Sequence, residues 1–177
     1  VVSIPRDRRL RKVYLELSSR CDLDCPICFL RHSPEARGDM DPGLFDDLMA
    51  QLAGFPSLEW VHFGGIGEPL IHPDAFEAMA RARSGGWKVR LTTNGTLVDV
   101  AAARALVRSG VDVVDFSLEA GAVSFPGRDS PAVATLETMR LLRDVRAAEG
   151  SAVPDIRAAV VLTASNLEGV RALPRLL

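Results

Sequence analysis

The chain has 177 residues, 47% hydrophobic and 25% charged, values that suit one globular domain with a sizeable core. Its 21 Lys and Arg against 23 Asp and Glu give a formal charge of -2, which leaves no basic surplus for bulk nucleic-acid binding. No apolar run approaches the ~20 residues of a membrane-spanning helix, and the opening VVSIPRDRRL lacks the charged-then-apolar order of a secretory signal. A cytoplasmic protein without a membrane partner is expected. With a first residue other than Met and a last residue, Leu177, shortly into a helical pattern, residues 1–177 read as one domain, an N-terminal fragment of a longer protein.

Short β-branched and apolar runs alternate with helical patterns along the chain. The first strand is expected at 13–17 and the second at 58–63, with a helix between them. Asp41 and Pro42 open that helix as N-cap and first-turn proline. Leu44, Phe45, Leu48, Met49 and Leu52 form its apolar stripe, and Gly54 ends it. Pro73 and Gly85 bracket a second helix before a strand at 88–92, and Asp99 and Gly110 bracket a third before a strand at 111–117. Ser130-Pro131 and Gly150 bracket a fourth before a strand at 156–162. A fifth helix opens at Ser165, where Glu168 completes a capping box.

This alternation predicts an α/β fold of parallel strands joined by right-handed crossovers, either a doubly wound sheet or a barrel. Strands of an open parallel sheet are commonly apolar on both faces. Here one parity is polar, carrying Glu16, His62, Arg90, Asp115 and Arg157, which favours a closed or nearly closed barrel with a polar lumen. Inside a lumen the two acids and two arginines are expected to pair; the plainer alternative leaves all five at strand ends in water. About five β/α units are present, so the expected architecture is a partial, truncated TIM-like barrel. Its fifth strand would carry an apolar outer edge at 158–162 that invites association.

All three cysteines, Cys21, Cys25 and Cys28, fall in one eight-residue window directly after the first strand. So close a group makes no disulfide framework, and in a cytosolic protein such thiols serve as ligands or nucleophiles. Three thiolates on a tight loop can hold three irons of a cubane cluster and leave the fourth open to a chelating substrate or cofactor. A structural zinc ion would need a fourth ligand, for which His32 is the nearest candidate. After the second strand comes Phe63-Gly64-Gly65-Ile66-Gly67-Glu68-Pro69-Leu70. Its glycines let backbone approach a ligand closely, and Glu68 supplies charge suited to an ammonium group. It is not the dinucleotide pattern G-x-G-x-x-G.

Taken together, CDLDCPIC at 21–28, GGIGEPL at 64–70, TTNGT at 92–96 and DFSLEA at 115–120 resemble, in order and spacing, the radical S-adenosylmethionine (SAM) superfamily. The resemblance covers the chain from about Tyr14 to Val161. It implies a partial barrel of six β/α units, a 4Fe-4S cluster held by Cys21, Cys25 and Cys28, and SAM chelated at the open iron. It also implies the reaction, in which one electron breaks a carbon-sulfur bond to give methionine and a 5'-deoxyadenosyl radical that takes hydrogen from substrate. By the same resemblance Gly65, Gly67 and Glu68 meet the methionine amino group, and Ser117 and Glu119 the methionine carboxylate or ribose. Thr93 and Asn94 match the third-strand end, and Asn166 the loop near the adenine. Two positions depart from the family: Ile27 stands where an aromatic often stacks on adenine, and Glu119 where Asp is commoner.

Within the superfamily, residues 28–40 and the glycine-rich turn look most like the maturases of tungsten-dependent oxidoreductases and related proteins with a cysteine-rich tail. The implied partners are a small-molecule, cofactor-precursor or peptide substrate and a reductant such as flavodoxin or ferredoxin. No catalytic side chain is singled out, since the cofactor carries the difficult chemistry. The alternative is a non-catalytic zinc or iron-sulfur module acting through a partner, which would have no use for an anionic glycine turn one strand away. Among the remaining residues, His32 and His72 read as loop or cap residues, Trp60, Trp87, Phe76 and Met79 as packing, and Arg128 as solvated.

Overall fold

The computed structural model describes residues 9–25, 27–118 and 131–162, together with Ala164, Leu167 and Arg171. Among them are five strands: β1 Lys12–Leu15, β2 Trp60–Phe63, β3 Lys88–Thr93, β4 Val113–Leu118 and β5 Asp155–Val160. They alternate with four helices, α1 Pro42–Leu52, α2 Ala75–Ser84, α3 Val100–Arg108 and α4 Pro131–Ala148. The strands are all parallel and lie side by side in chain order, β1-β2-β3-β4-β5. A doubly wound sheet reverses its strand order at a switch point. This sheet never reverses, which is the winding of a β/α barrel, and among the described residues it is a partial one. The fifth helix expected from Ser165, and Arg128, lie outside the described residues.

Caps fix the helix starts. Asp41 accepts from the N–H groups of Gly43 at 2.8 Å and Leu44 at 3.2 Å, and Asp99 accepts from Ala102 at 2.8 Å, each satisfying donors that a helix leaves free. The start of α2 is later than its proline suggests. A 3-10 turn, Pro69–Ile71, ends at His72, and the helix begins at Ala75. Buried His72 is a fully paired link there: Nδ1 accepts from the Asp74 N–H at 3.1 Å, and Nε2 donates to the Met40 carbonyl at 3.0 Å. The α1 stripe is narrower than its sequence suggests, because Leu44 is 51% exposed while Phe45 and Leu52 are buried.

One parity of the central strands is buried, and apolar up to Thr93 at the end of β3. Val61 and Phe63, Val89 and Leu91, and Val114 and Phe116 share one core with Met79, Leu106 and Leu142 of the helices. Each such side chain contributes about 1.5–3 kcal/mol by leaving water. Trp87 and Met79 are buried in that core and Phe76 packs against it, whereas Trp60 is half-buried with the Lys88 ammonium 5.4 Å above its ring.

The opposite parity is polar, and one of the two expected pairs forms there. Arg90 meets Asp115 bidentately, with Nη2 donating to Oδ1 at 2.7 Å. The two are diagonal neighbours, since the register sets Arg90 against Val113 and Asp115 against Thr92. The other pair does not form. Arg157, exposed on β5, bonds Asp155 on its own strand at 2.7 Å instead; among the described residues β5 pairs only with β4. Glu16 has left the sheet altogether, for β1 ends at Leu15. Beyond it the Leu17 carbonyl accepts from the Met40 N–H at 2.7 Å, and Ser18 bridges antiparallel to Asp39.

Candidate functional site

The C-terminal ends of parallel strands are where β/α folds carry their sites. Here the chain beyond β1, β2, β3 and β4 meets over a cavity of about 300 Å³. Cys21, Cys25, Ile27, Cys28, Gly65, Gly67, Glu68, Thr93, Asn94 and Ser117 all line it. Leu23, Ile66, Thr92 and Val161 complete the lining. Glu119 and Asn166 lie outside the described residues.

The cysteine loop is closed at its base by the chain itself. The Ser19 N–H donates to the Gly38 carbonyl at 2.9 Å, and the Gly38 N–H donates back to Ser19 Oγ at 2.9 Å. Arg20 then forks onto Asp39, Nε to Oδ1 at 3.0 Å. The Ser18 hydroxyl and Arg20 hold the Asp39 carboxyl below the usual range. Within the loop, the Cys28 N–H donates to the Cys25 carbonyl at 2.9 Å. Cys28 Sγ accepts the Leu30 N–H at 3.3 Å and so caps a 3-10 turn, Phe29–His32. None of the three cysteines is in a disulfide, all three are half-buried, and His32 is exposed at the end of that turn.

The glycine-rich turn is pressed against this loop. The Glu68 N–H donates to the Arg20 carbonyl at 2.7 Å. A Cβ on Gly67 would collide with the Ser18 carbonyl, and one on Gly65, at φ +151°, would collide with the Glu16 carboxylate. Both positions therefore require glycine. Glu16 also accepts the N–H groups of Ile66 and of Gly67, the latter at 3.0 Å, so the β1 acid anchors the turn.

Glu68 is buried, and three donors point at its carboxylate. Oε1 accepts from the Thr93 hydroxyl at 2.8 Å and the Leu70 N–H at 3.1 Å, and Oε2 accepts from the Asn94 N–H at 2.7 Å. A carboxylate offers about four lone-pair sites, which leaves one on Oε2 for a further donor. Burial pushes the Glu68 carboxyl up, opposed by those three hydrogen bonds. Burial likewise pushes the Cys21 thiol up, and the charges of Asp22 and Glu68 add to it.

The profile of the Radical SAM superfamily matches residues 15–149. The chain belongs to the radical SAM superfamily. It is 35% identical over 172 residues to the tungsten-containing aldehyde ferredoxin oxidoreductase cofactor-modifying protein of Pyrococcus furiosus, a match covering 95% of this chain and 48% of that one. The PqqA peptide cyclase of Gluconobacter oxydans is 33% identical over 133 residues, covering 72% of this chain and 37% of the relative. Among solved structures, Streptococcus suis SuiB bound to S-adenosylmethionine has the same fold, with a TM-score of 0.70 at 19% identity over 95% of this chain and 38% of that one. The chain thus spans about half, or less, of the length of these relatives.

Radical SAM proteins use a 4Fe-4S cluster and SAM, and the donor set in this cavity fits both. Cys21, Cys25 and Cys28 all line it. In a cubane each thiolate takes a different iron, a demand that three cysteines on one loop can meet. The spare acceptor on Glu68 suits an ammonium, and Ile27, Ile66 and Leu23 give the cavity apolar walls.

Sequence reasoning set Glu16 either in the lumen or at a strand end in water, and missed it as the anchor of the turn. It also missed Asp22 and Thr96, whose carboxylate and hydroxyl meet each other and Asn94. Both lie inside the motifs CDLDCPIC and TTNGT, and that position was the available signal.

Proposed function

We propose that residues 1–177 are the N-terminal cofactor-binding core of a radical SAM enzyme of cofactor or peptide maturation. The observation that carries it is the cavity itself, where three thiols, an acid-bearing glycine turn and the ends of β3 and β4 face one space. In this reading Cys21, Cys25 and Cys28 hold three irons. Gly65, Gly67 and Glu68 take the methionine ammonium. Thr93, Asn94 and Ser117 face the rest of the cofactor, with Glu119 and Asn166 assigned there by motif alone. The bound pair supplies one-electron cleavage of SAM and, through it, abstraction of hydrogen from substrate. The chain's own residues ligate, orient and exclude water, the last through Leu23, Ile27, Ile66 and Val161.

The relatives' names support a substrate that is a cofactor precursor or a peptide, with a small molecule as the further candidate. A flavodoxin or ferredoxin would deliver the electron. No helix among the described residues is long and apolar enough to cross a membrane, and the charge of -2 offers nothing to bulk nucleic acid. The proposed setting is the cytoplasm.

Anaerobic reconstitution tests the reading. It should load about four irons, with broad visible absorbance that air bleaches, and Ala at any one of Cys21, Cys25 or Cys28 should abolish it. Stoichiometric zinc that resists oxygen, without iron uptake, would instead establish the non-catalytic zinc module.

A further inference from the structure

Asn94 stands where the cysteine loop, the glycine-rich turn and the end of β3 meet. Its backbone N–H is fixed on Glu68 Oε2 at 2.7 Å. Its side-chain Nδ2 donates to Asp22 Oδ1 at 2.8 Å and lies 3.8 Å from Cys21 Sγ. Its Oδ1 accepts the Thr96 N–H at 2.9 Å.

The last bond decides which way the amide faces. Reversed, the amide would set its NH2 against the Thr96 N–H and its oxygen against the Asp22 carboxylate, two repulsions in place of two hydrogen bonds. The NH2 therefore faces Asp22 and Cys21. One of its protons serves Asp22, and the other is free to point at sulfur. The Thr96 hydroxyl, with a single proton, lies within reach of both Asp22 Oδ2 and Asn94 Oδ1 and closes the group. Asp22 is thereby held with Oδ1 4.0 Å from Cys21 Sγ. Cys21 thus sits between a fixed N–H donor and a fixed negative charge.

We infer that Asn94 is a positioning residue for Cys21, and that with the cluster bound its side-chain amide donates an N–H···S bond to the Cys21 thiolate that raises the cluster's reduction potential. This rests on the proposed ligation of iron by Cys21. Iron-sulfur potentials are set in part by net charge and by hydrogen bonds to the sulfurs. A donor stabilises the reduced, more negative cluster, and a carboxylate opposes it. Asn94 and Asp22 therefore act on Cys21 with opposite signs, a pattern that a merely structural role for Asn94 does not produce.

The test is a redox titration of the reconstituted 177-residue chain without SAM, followed by electron paramagnetic resonance of the reduced cluster. Asn94→Ala should lower the reduction equilibrium constant about tenfold, equivalent to about 59 mV for one electron. Asp22→Asn should move it the other way. Equal potentials for wild type and Asn94→Ala at equal iron content would overturn the inference.

A second measurement needs no variant at Asn94. The chain has two asparagines, Asn94 and Asn166. Protein labelled with 15N-asparagine should show a weak nitrogen coupling to the reduced cluster that persists in Asn166→Gln. Its absence, or its loss in Asn166→Gln, would overturn the inference as well. A wild-type chain that loads no iron would overturn the ligation reading itself.

Discussion

The Thr93 hydroxyl donates to the Glu68 carboxylate at 2.8 Å, tying the turn after β2 to the end of β3. The same hydroxyl oxygen accepts the Gly95 N–H at 3.0 Å, so the acid reaches through Thr93 into the next loop. Glu68 is thus part of the frame of the site as well as the candidate partner of an ammonium.

Glu68→Gln is expected to act on both counts. A Gln side chain must turn its NH2 toward at least one of three donors, which costs about 1–3 kcal/mol for a buried group left unsatisfied. Chemical denaturation of the apo-protein should show that loss. Titration of the reconstituted variant should show SAM binding weaker by roughly 1–3 kcal/mol, the worth of a charged hydrogen bond, with iron content unchanged. Unchanged affinity would reduce Glu68 to a latch between two loops.

His62 should make stability pH-dependent. Its Nε2 lies 2.7 Å from Thr92 Oγ1, while its Nδ1 is buried with no protein partner among the described residues. Burial, with the charges of Lys12 and Arg90, brings it down from 6.5 to about 4. Between those values the unfolded chain binds the proton and the folded one does not. Stability is therefore full above pH 6.5 and falls as the pH drops toward 4. At about 1.4 kcal/mol per unit at most, His62 accounts for about 2–3 kcal/mol of loss. Glu68, pushed up by burial, acts in the opposite direction, so the wild-type curve alone reports a sum. The difference between wild type and His62→Phe, measured by denaturant at several pH values, isolates the histidine. A difference that does not change with pH would show that the ring is not held neutral.

Gly67→Ala separates steric need from ligand contact. The added methyl meets the Ser18 carbonyl and stands 2.7 Å from the Arg20 carbonyl. Neither backbone group can yield without moving the cysteine loop. A loss of about 2 kcal/mol or more is expected, in the range of overpacking, already in the apo-protein. Gly38→Ala is the control, because nothing lies within 4 Å of its added methyl. Equal melting temperatures for the two variants would mean that the turn and the loop are not in contact.

The parts of the site that were legible in sequence are local. Cys21 to Cys28 and Gly64 to Glu68 each sit in one short run after a strand, where residue type and spacing carry the chemistry. The polar parity was legible too, because side chains alternate with period two, and His62, Arg90 and Asp115 do share a face. Which groups pair was not. Arg90 finds Asp115 through a diagonal that depends on strand register. Glu16 lies past the end of β1, where its carboxylate meets the N–H groups of Ile66 and Gly67, 50 and 51 residues on. Asp22 meets its partner Asn94 72 residues on, and no local pattern encodes that meeting.

The β5 edge yields the last expectation. Among the described residues β5 pairs only with β4, and just past its end Val161 and Leu162 are 60% and 63% exposed. Edge strands are usually blunted by charge or covered by other structure. Here Asp155 and Arg157 provide charge only at the start of the strand, where they bond each other. Residues 158–162 carry none. The 177-residue chain should therefore self-associate at micromolar concentration, through this edge. Leu162→Lys sets a charge at the exposed end and should shift the population toward monomer. Anaerobic size exclusion with light scattering across a concentration series reads both. If wild type stays monomeric throughout, the edge is protected. If wild type associates and Leu162→Lys associates equally, the contact lies on another face.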